Sequence, residues 1–235
     1  MRYLIKFSKE SDIKFVAHLD FMRTIQRMMK RSGLPVEYSK GFNPHINLSL
    51  AQPLAVGVYS SGDYMDAAFE EEIDENIIIE KLNASAPIGI KVFEAKKVKE
   101  EENKRVFKSM AAIDAAKYRI KIKYNNVDFL NEDMEKLLNL EQWNTIKKTK
   151  RGEGEVDIKS QVKDFDYSVV DNILVMRTII SCGSRENLSA ELLAKFIQDN
   201  TGESNKDAFI DIRREEMYAE VEKKLVPLYK YAETI

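Results

Sequence analysis

Two short runs of strict alternation set the terms on which this chain folds. Residues 2–8 (RYLIKFS) put Tyr3, Ile5 and Phe7 on one side, and residues 118–124 (YRIKIKY) alternate in the same way. A two-residue apolar period marks a strand with one face covered. Each run opens a cycle of strand and helix signals. After the first comes an amphipathic helical pattern over residues 19–32, stopped by Gly33 and Leu34-Pro35. Residues 36–38 and 46–51 read as strands on either side of a turn-rich loop, 39–45 (SKGFNPH), and residues 63–70 as a further strand. Asp74 is placed to cap a helix over 75–84 with Ile77, Ile78 and Leu82 inward, and residues 90–98 read as the closing strand.

The order β-α-β-β-α-β is the ferredoxin-like arrangement. A charge run without apolar periodicity, residues 99–105 (KEEENKR), marks a boundary. The second cycle predicts a helix over 127–140 and strands over 142–150 and 156–162 about a glycine turn at 151–155. A hairpin over 168–180 turns at Asp171-Asn172, a helix capped by Asn187 or Ser189 follows, and residues 209–218 form a last strand. The expected fold class is α+β. Two tandem ferredoxin-like halves, 1–99 and 118–235, are joined by a connecting segment at 100–117, and the second is elaborated by an extra strand.

Composition narrows the function classes. Hydrophobic residues make up 44% of 235 and charged residues 32%, which suits a packed core and not a disordered chain. The single cysteine, Cys182, excludes an internal disulfide and any Cys-rich zinc or iron–sulfur site, so the chain lacks the residues for radical chemistry of its own. Phosphate-loop, dinucleotide and kinase signatures are missing, and no cofactor or metal is expected. Lys6 and Lys9 interrupt the apolar opening, and no run of about 18 apolar residues occurs. A cytoplasmic protein without a membrane partner is the expectation. The net charge of −2 conceals nine Lys/Arg against four Asp/Glu in the first fifty residues, which points to a local anionic partner.

The candidate site residues cluster in those fifty positions. On the first helix, Phe21, Met22, Ile25, Met28 and Met29 fall on one side, with Arg23, Arg27, Lys30 and Arg31 opposite, an anion-binding ridge on a helix docked by its other face. His18 lies by helical phase towards the apolar side, and Asp20 is placed to cap the first turn or to orient the imidazole. In the loop after Tyr38, Gly41 permits a tight turn, Lys40 suits a phosphate and Phe42 a stacked base, while Asn43 and His45 supply hydrogen-bonding groups. These are the parts of a single-stranded RNA site. Lys147, Lys148, Lys150 and Arg151 crowd the second cycle's glycine turn and suit backbone contacts to nucleic acid. His18 and His45 are also candidates, with Asp20, for acid–base catalysis in RNA cleavage.

The segment running from Phe7-Ser8-Lys9 through His18-Leu19-Asp20, Arg23, residues 31–45 (RSGLPVEYSKGFNPH), 53–57 (PLAVG) and 63–66 (DYMD) resembles the opening of a bacterial family of radical SAM-associated, or radical SAM-linked, proteins. The resemblance continues through residues 109–120 (SMAAIDAAKYRI), 156–159 (VDIK) and 183–188 (GSRENL). It implies a stand-alone form of proteins otherwise fused behind a cobalamin-type radical SAM enzyme. It draws interest to His18, Asp20, Arg23, Tyr38, Gly41, Phe42, Asn43, Pro44 and His45, and transfers no catalytic role. The expected function is that of an accessory or substrate-presenting protein, not itself an enzyme. It would bind tRNA or rRNA beside a radical SAM partner, with no DNA partner. The alternatives are a metal-independent endoribonuclease using His18 and His45, and a pure protein–protein adaptor of a radical SAM subunit.

Overall fold

A computed structural model of the chain describes residues 1–98, 107–149 and 152–234. The chain is a mixed α+β protein that divides into two compact units, Met1–Ala115 with Arg214–Ile235, and Ala116–Arg213. In chain order the first unit begins with β1 (Arg2–Lys9), α1 (His18–Arg31), β2 (Leu48–Leu50), β3 (Tyr59–Ala68), α2 (Glu75–Ser85), β4 (Ile90–Lys97) and the short α3 (Ser109–Ala112). Then follow β5 (Ala115–Lys123), α4 (Leu130–Asn139), β6 (Asn144–Thr149), β7 (Gly152–Asp157), β8 (Val162–Val170), β9 (Ile173–Ser181) and α5 (Ala190–Asn200). The chain closes with β10 (Asp211–Val221), β11 (Lys224–Pro227) and α6 (Leu228–Thr234).

In the first unit, β1 is hydrogen-bonded on both edges, antiparallel to β3 (Arg2 opposite Ala68, Lys9 opposite Ser60) and to β4. On its other edge β3 pairs with β2 over Met65–Ala67 and also neighbours β10. A Cβ on Gly62 would collide with the Glu215 carbonyl oxygen, so this approach requires glycine. The alternation of residues 2–8 does what it predicts. Tyr3, Ile5 and Phe7 are fully buried against Phe21, Ile25, Met28 and Met29 of α1 and Ile78 and Leu82 of α2. Phe7 stacks on Phe21 at 6.0 Å, and Tyr3 meets Phe69 edge-on at 5.5 Å. Each such side chain, wholly buried, contributes about 1.5–3 kcal/mol. Asp74 caps α2 by accepting from the Asn76 N–H at 2.9 Å. Ile77, however, is 44% exposed, and the residues of α2 that are buried are Ile78 and Leu82.

The opposite face of this sheet is polar and is covered by α6. Lys6 pairs with Glu216 at 2.6 Å, Tyr64 donates its hydroxyl to the same carboxylate at 2.5 Å, and Lys6 lies 4.9 Å from the Tyr229 ring centre. Next to them Asp66, 5% exposed, accepts from the backbone N–H and the hydroxyl of Ser109, the latter at 2.7 Å. These contacts explain why the division of the chain differs from the sequence-based one. The last twenty-two residues pack with the first unit, whereas the periodicity assigns them to the second half. The charge run at 99–105 lies outside the described residues.

In the second unit β9 lies between β5 and β8, and β8–β9 is the antiparallel hairpin expected at Asp171-Asn172, with Asp171 at φ 52°. The ladder β6–β7 stands apart from that sheet. Its base is fixed by Asp157, whose carboxylate accepts from the N–H groups of Trp143 and Lys159. Trp143 is buried, donates its indole N–H to the Leu137 carbonyl at 3.0 Å and stacks on Phe196 at 5.4 Å. Ser189 caps α5 through the Leu192 N–H.

Burial raises the Asp66 carboxyl above its ordinary value of 3.8, against the opposing hydrogen bonds from Ser109. A carboxyl raised on folding favours the folded state below the unfolded value and loses that contribution as pH climbs through the folded one. Relative to Asp66→Asn, which keeps a carbonyl for Ser109, the parent protein should therefore lose thermal stability as pH rises from about 4. Melting curves of both proteins from pH 3.5 to 8 test this. A difference that stayed flat, or grew in the parent's favour, would contradict it.

Candidate nucleic-acid interface

The helix α1 carries the cationic ridge. Ala17 at its start makes no side-chain cap, and Ser32 closes it with its N–H on the Met28 and Met29 carbonyls and its hydroxyl on Met29. Gly33, at φ 68°, then turns the chain away. Arg23, Arg27, Lys30 and Arg31 are all exposed, opposite the buried stripe. Arg23 pairs with Asp20 at 2.9 Å, both side chains about two-thirds exposed, and Arg31 donates to the Ser85 carbonyl at the end of α2. A pair so exposed contributes at most about 1 kcal/mol and is readily exchanged for a phosphate.

Two expectations for the start of α1 need correction. His18 is exposed and not buried among the core methionines, because Phe21 and Ile25 take the positions facing Phe7. Asp20 neither caps the helix nor meets the imidazole, since its carboxylate turns along the helix surface to Arg23.

The loop after Tyr38 is a tight, internally bonded projection. Its root is a bridge between Tyr38 and Ile46, with the Ser39 N–H on the His45 carbonyl at 2.8 Å. The Ser39 hydroxyl accepts from the His45 N–H at 3.1 Å and contacts the ring Nδ1 at 3.0 Å. Below the root, Asn47 donates to the Glu37 carboxylate and Ile46 is buried. Gly41 takes φ 137°, a conformation that a side chain would strain. Lys40, Asn43, Pro44 and His45 are exposed, Tyr38 is 41% exposed, and Phe42 stands wholly in solvent.

The register places these parts along one helix. Phe21 meets Phe7 near the end of β1, whereas Val36 pairs with Phe69, itself against Tyr3 at the start of β1. The fourteen residues of α1 therefore run about 21 Å between the two ends of the sheet. His18 and Asp20 sit at one end and the loop root at the other, with Arg23, Arg27 and Lys30 between them. His45 is engaged by Ser39, and no hydrogen bond joins it to His18 or Asp20 among the described residues. In the second unit, Lys147 donates to the Asn187 carbonyl at 2.9 Å. Lys148 belongs to β6 by its backbone, and its side chain, with Lys150 and Arg151, lies outside the described residues.

One cluster has no signal in the sequence. Asp63 accepts at Oδ1 from the Ser60 hydroxyl at 2.6 Å and from Arg214 Nε at 2.9 Å, with Arg214 Nη2 at 2.7 Å from the same oxygen. Arg214 Nη2 also donates to the Gln52 carbonyl at 2.7 Å. Close by, Lys9, 2% exposed, donates to the Val16 carbonyl at 2.9 Å and faces the Phe21 ring. Burial pulls the Lys9 ammonium below its usual range, and Asp63 opposes the shift. The partners Asp63 and Arg214 are 151 residues apart, beyond the reach of any spacing rule. Among the described residues no group of three or more His, Cys, Asp or Glu is placed to hold a metal ion. Among the described residues no helix is long and apolar enough to cross a membrane.

Residues 2–190 match a family described as "Uncharacterized protein conserved in bacteria (DUF2344)". The chain belongs to this family. No curated protein matches it. Among solved structures the DUF2344 chain is similar to a protein in a Cbf5–Nop10–Gar1 complex, at 9% identity and a TM-score of 0.49 over 92% of this chain. It spans about half of that protein, 48%. It is also similar to an unknown protein from Galdieria sulphuraria, at 10% identity and a TM-score of 0.26, over 91% of this chain and 97% of that one.

Among the described residues the Ser39 hydroxyl meets both the backbone N–H and the ring of His45. Ser39→Ala should leave the fold intact and speed hydrogen exchange at the His45 amide by roughly tenfold, the worth of about one net hydrogen bond. An unchanged exchange rate would show that the loop is held by its backbone alone.

Proposed function

We propose that this DUF2344 protein is an accessory that binds an unpaired stretch of RNA and presents it to a radical SAM enzyme. The observation that carries the reading is Phe42, an aromatic ring wholly in solvent at the tip of a braced loop. A phenyl ring left in water forgoes about 2 kcal/mol of burial, and a loop stiffened around it suits a partner that covers it. A flat ring beside Lys40, at the end of a helix that shows Arg23, Arg27 and Lys30 outward, matches the chemistry of a stacked base with phosphates leading away from it. Duplex RNA offers no such face at mid-helix, so the substrate is a loop, bulge or single-stranded end of tRNA or rRNA. Asn43 and His45 flank the ring as hydrogen-bonding groups.

The fold supports the same reading. The antiparallel order β4-β1-β3-β2 with α1 and α2 on one face supports a ferredoxin-like first unit. The order β5-β9-β8 with α4 and α5 supports a related second unit, into which β6 and β7 are inserted. The radical SAM partner, of the cobalamin type, is supported by the resemblance of residues 7–66, and a cytoplasmic setting accords with that partnership.

Fluorescence anisotropy with a labelled single-stranded RNA tests the proposal. Phe42→Ala should weaken binding about five- to a hundredfold. If Arg23, Arg27, Lys30 and Lys40 each meet a phosphate, log affinity should fall against log salt with a slope of about −2.8, and Arg27→Ala/Lys30→Ala should reduce it by about 1.4. Binding indifferent to salt and to Phe42 would overturn the reading. Co-purification of the radical SAM protein that persists after nuclease treatment tests the partnership separately.

A further inference from the structure

The second unit carries its own row of cations. Along β5, Tyr118, Ile120 and Ile122 are buried, whereas Lys117, Arg119 and Lys121 are partly exposed and Lys123 is exposed. From Lys117 on, every residue on the outer face of this strand is therefore a cation, and β5 contains no carboxylate. The neighbouring β9 alternates in the same way, with Leu174, Met176 and Ile180 buried and Val175, Arg177 and Ile179 outward. It adds one cation and no acid. The edge strand β8 places Asp164 and Asp166 opposite Ile179 and Arg177, and Asp166 lies 4.0 Å from Arg177. On the other side of β5, Asp211 and Arg213 of β10 carry opposite charges. The surplus of positive charge is thus concentrated on β5.

Residues two apart on a strand stand about 6.8 Å from one another, and like charges so close repel. A line of anions laid over the row relieves that repulsion. The row from Lys117 to Lys123 is about 20 Å long, so it matches a chain of charges and not a single ion. A stacked nucleic-acid strand offers a phosphate about every 3.4 Å. Each lysine, a point charge on a flexible stem, takes whichever phosphate is nearest. An extended acidic peptide turns only every second side chain to the sheet, so it fits only where its sequence alternates. RNA carries its charge at every nucleotide, whatever the sequence. The outer residues of β5, β8 and β9 include no aromatic ring and no side-chain amide, so this face neither stacks bases nor reads their edges. We propose that Lys117, Lys121 and Lys123 form a second RNA contact, in the inserted unit, which holds the phosphate backbone without regard to sequence. The inference rests on the RNA reading above and adds a footprint to it.

Two triple variants test the inference. Lys117→Gln/Lys121→Gln/Lys123→Gln removes the charges, and Lys117→Arg/Lys121→Arg/Lys123→Arg keeps them. Both are titrated beside the parent with long single strands of oligo(rU) and oligo(rA) over a range of salt. The Gln variant should make the slope of log affinity against log salt shallower by about 2.1, so that between about 50 and 200 mM salt the parent loses roughly twentyfold more affinity than the variant. The Arg variant should keep the parent's slope, and both homopolymers should show the same change. A Gln variant with the parent's slope overturns this inference and leaves the RNA reading to stand on Phe42 and α1. A change confined to one homopolymer overturns the indifference to sequence. A Gln variant that keeps the parent's slope on RNA but no longer binds polyglutamate overturns the choice of RNA in favour of an acidic protein segment. Failure of the parent to bind either homopolymer overturns both readings.

Discussion

Everything in the first unit depends on β1 being enclosed on four sides. Its edges are hydrogen-bonded to β3 and β4, one face is buried under α1 and α2, and the other lies beneath α6. A strand so enclosed has no tolerance for a slip in register, because a shift of one residue would exchange Tyr3, Ile5 and Phe7 for Leu4, Lys6 and Ser8. Lys6 in particular would enter an apolar core, away from Glu216. The alternation of the first strand thereby fixes the seat of α1, and the seat of α1 fixes which of its residues face water.

That chain of dependence explains why the cationic ridge was legible in the sequence. Once Phe21, Ile25, Met28 and Met29 are inward, a period of 3.6 residues leaves Arg23, Arg27 and Lys30 no choice but to point outward. The caps at Asp74 and Ser189 and the hairpin at Asp171 were legible for a similar reason, since each is a local pattern with a local cause. His18 was not, because phase alone says nothing of where the sheet beneath a helix ends. The first turn of α1 carries His18 and Leu19 in the open, with Leu19 68% exposed. The assignment of the last twenty-two residues also failed to follow from periodicity. Their allegiance is set by single long-range contacts, Arg214 to Asp63 and Glu216 to Lys6 and Tyr64, that leave no repeat in the sequence.

The polar groups of the first unit fall into two kinds. Along α1 and the Tyr38–Ile46 loop they are exposed and lightly engaged, as in the Asp20–Arg23 pair, so that an anion displaces little. Around Asp63 and Asp66 they are desolvated and multiply bonded, where removal of one partner from a buried pair costs about 3–5 kcal/mol. The first kind rearranges at little cost, whereas the second holds its part of the unit in one arrangement.

The division of the chain also has a consequence for its synthesis. Asp63 leaves the ribosome well before Arg214, and at about 5–20 residues per second a separation of 151 residues takes roughly 8–30 s to make. Through that interval the nascent first unit lacks β10 and α6, so the Lys6 face of its sheet stays bare and the Asp63 carboxylate has no guanidinium. Residues 116–213 are complete before this gap is closed. The inserted unit is thus free to assemble first, and the unit that holds the ridge and the loop is completed only when residues 214–235 have been made.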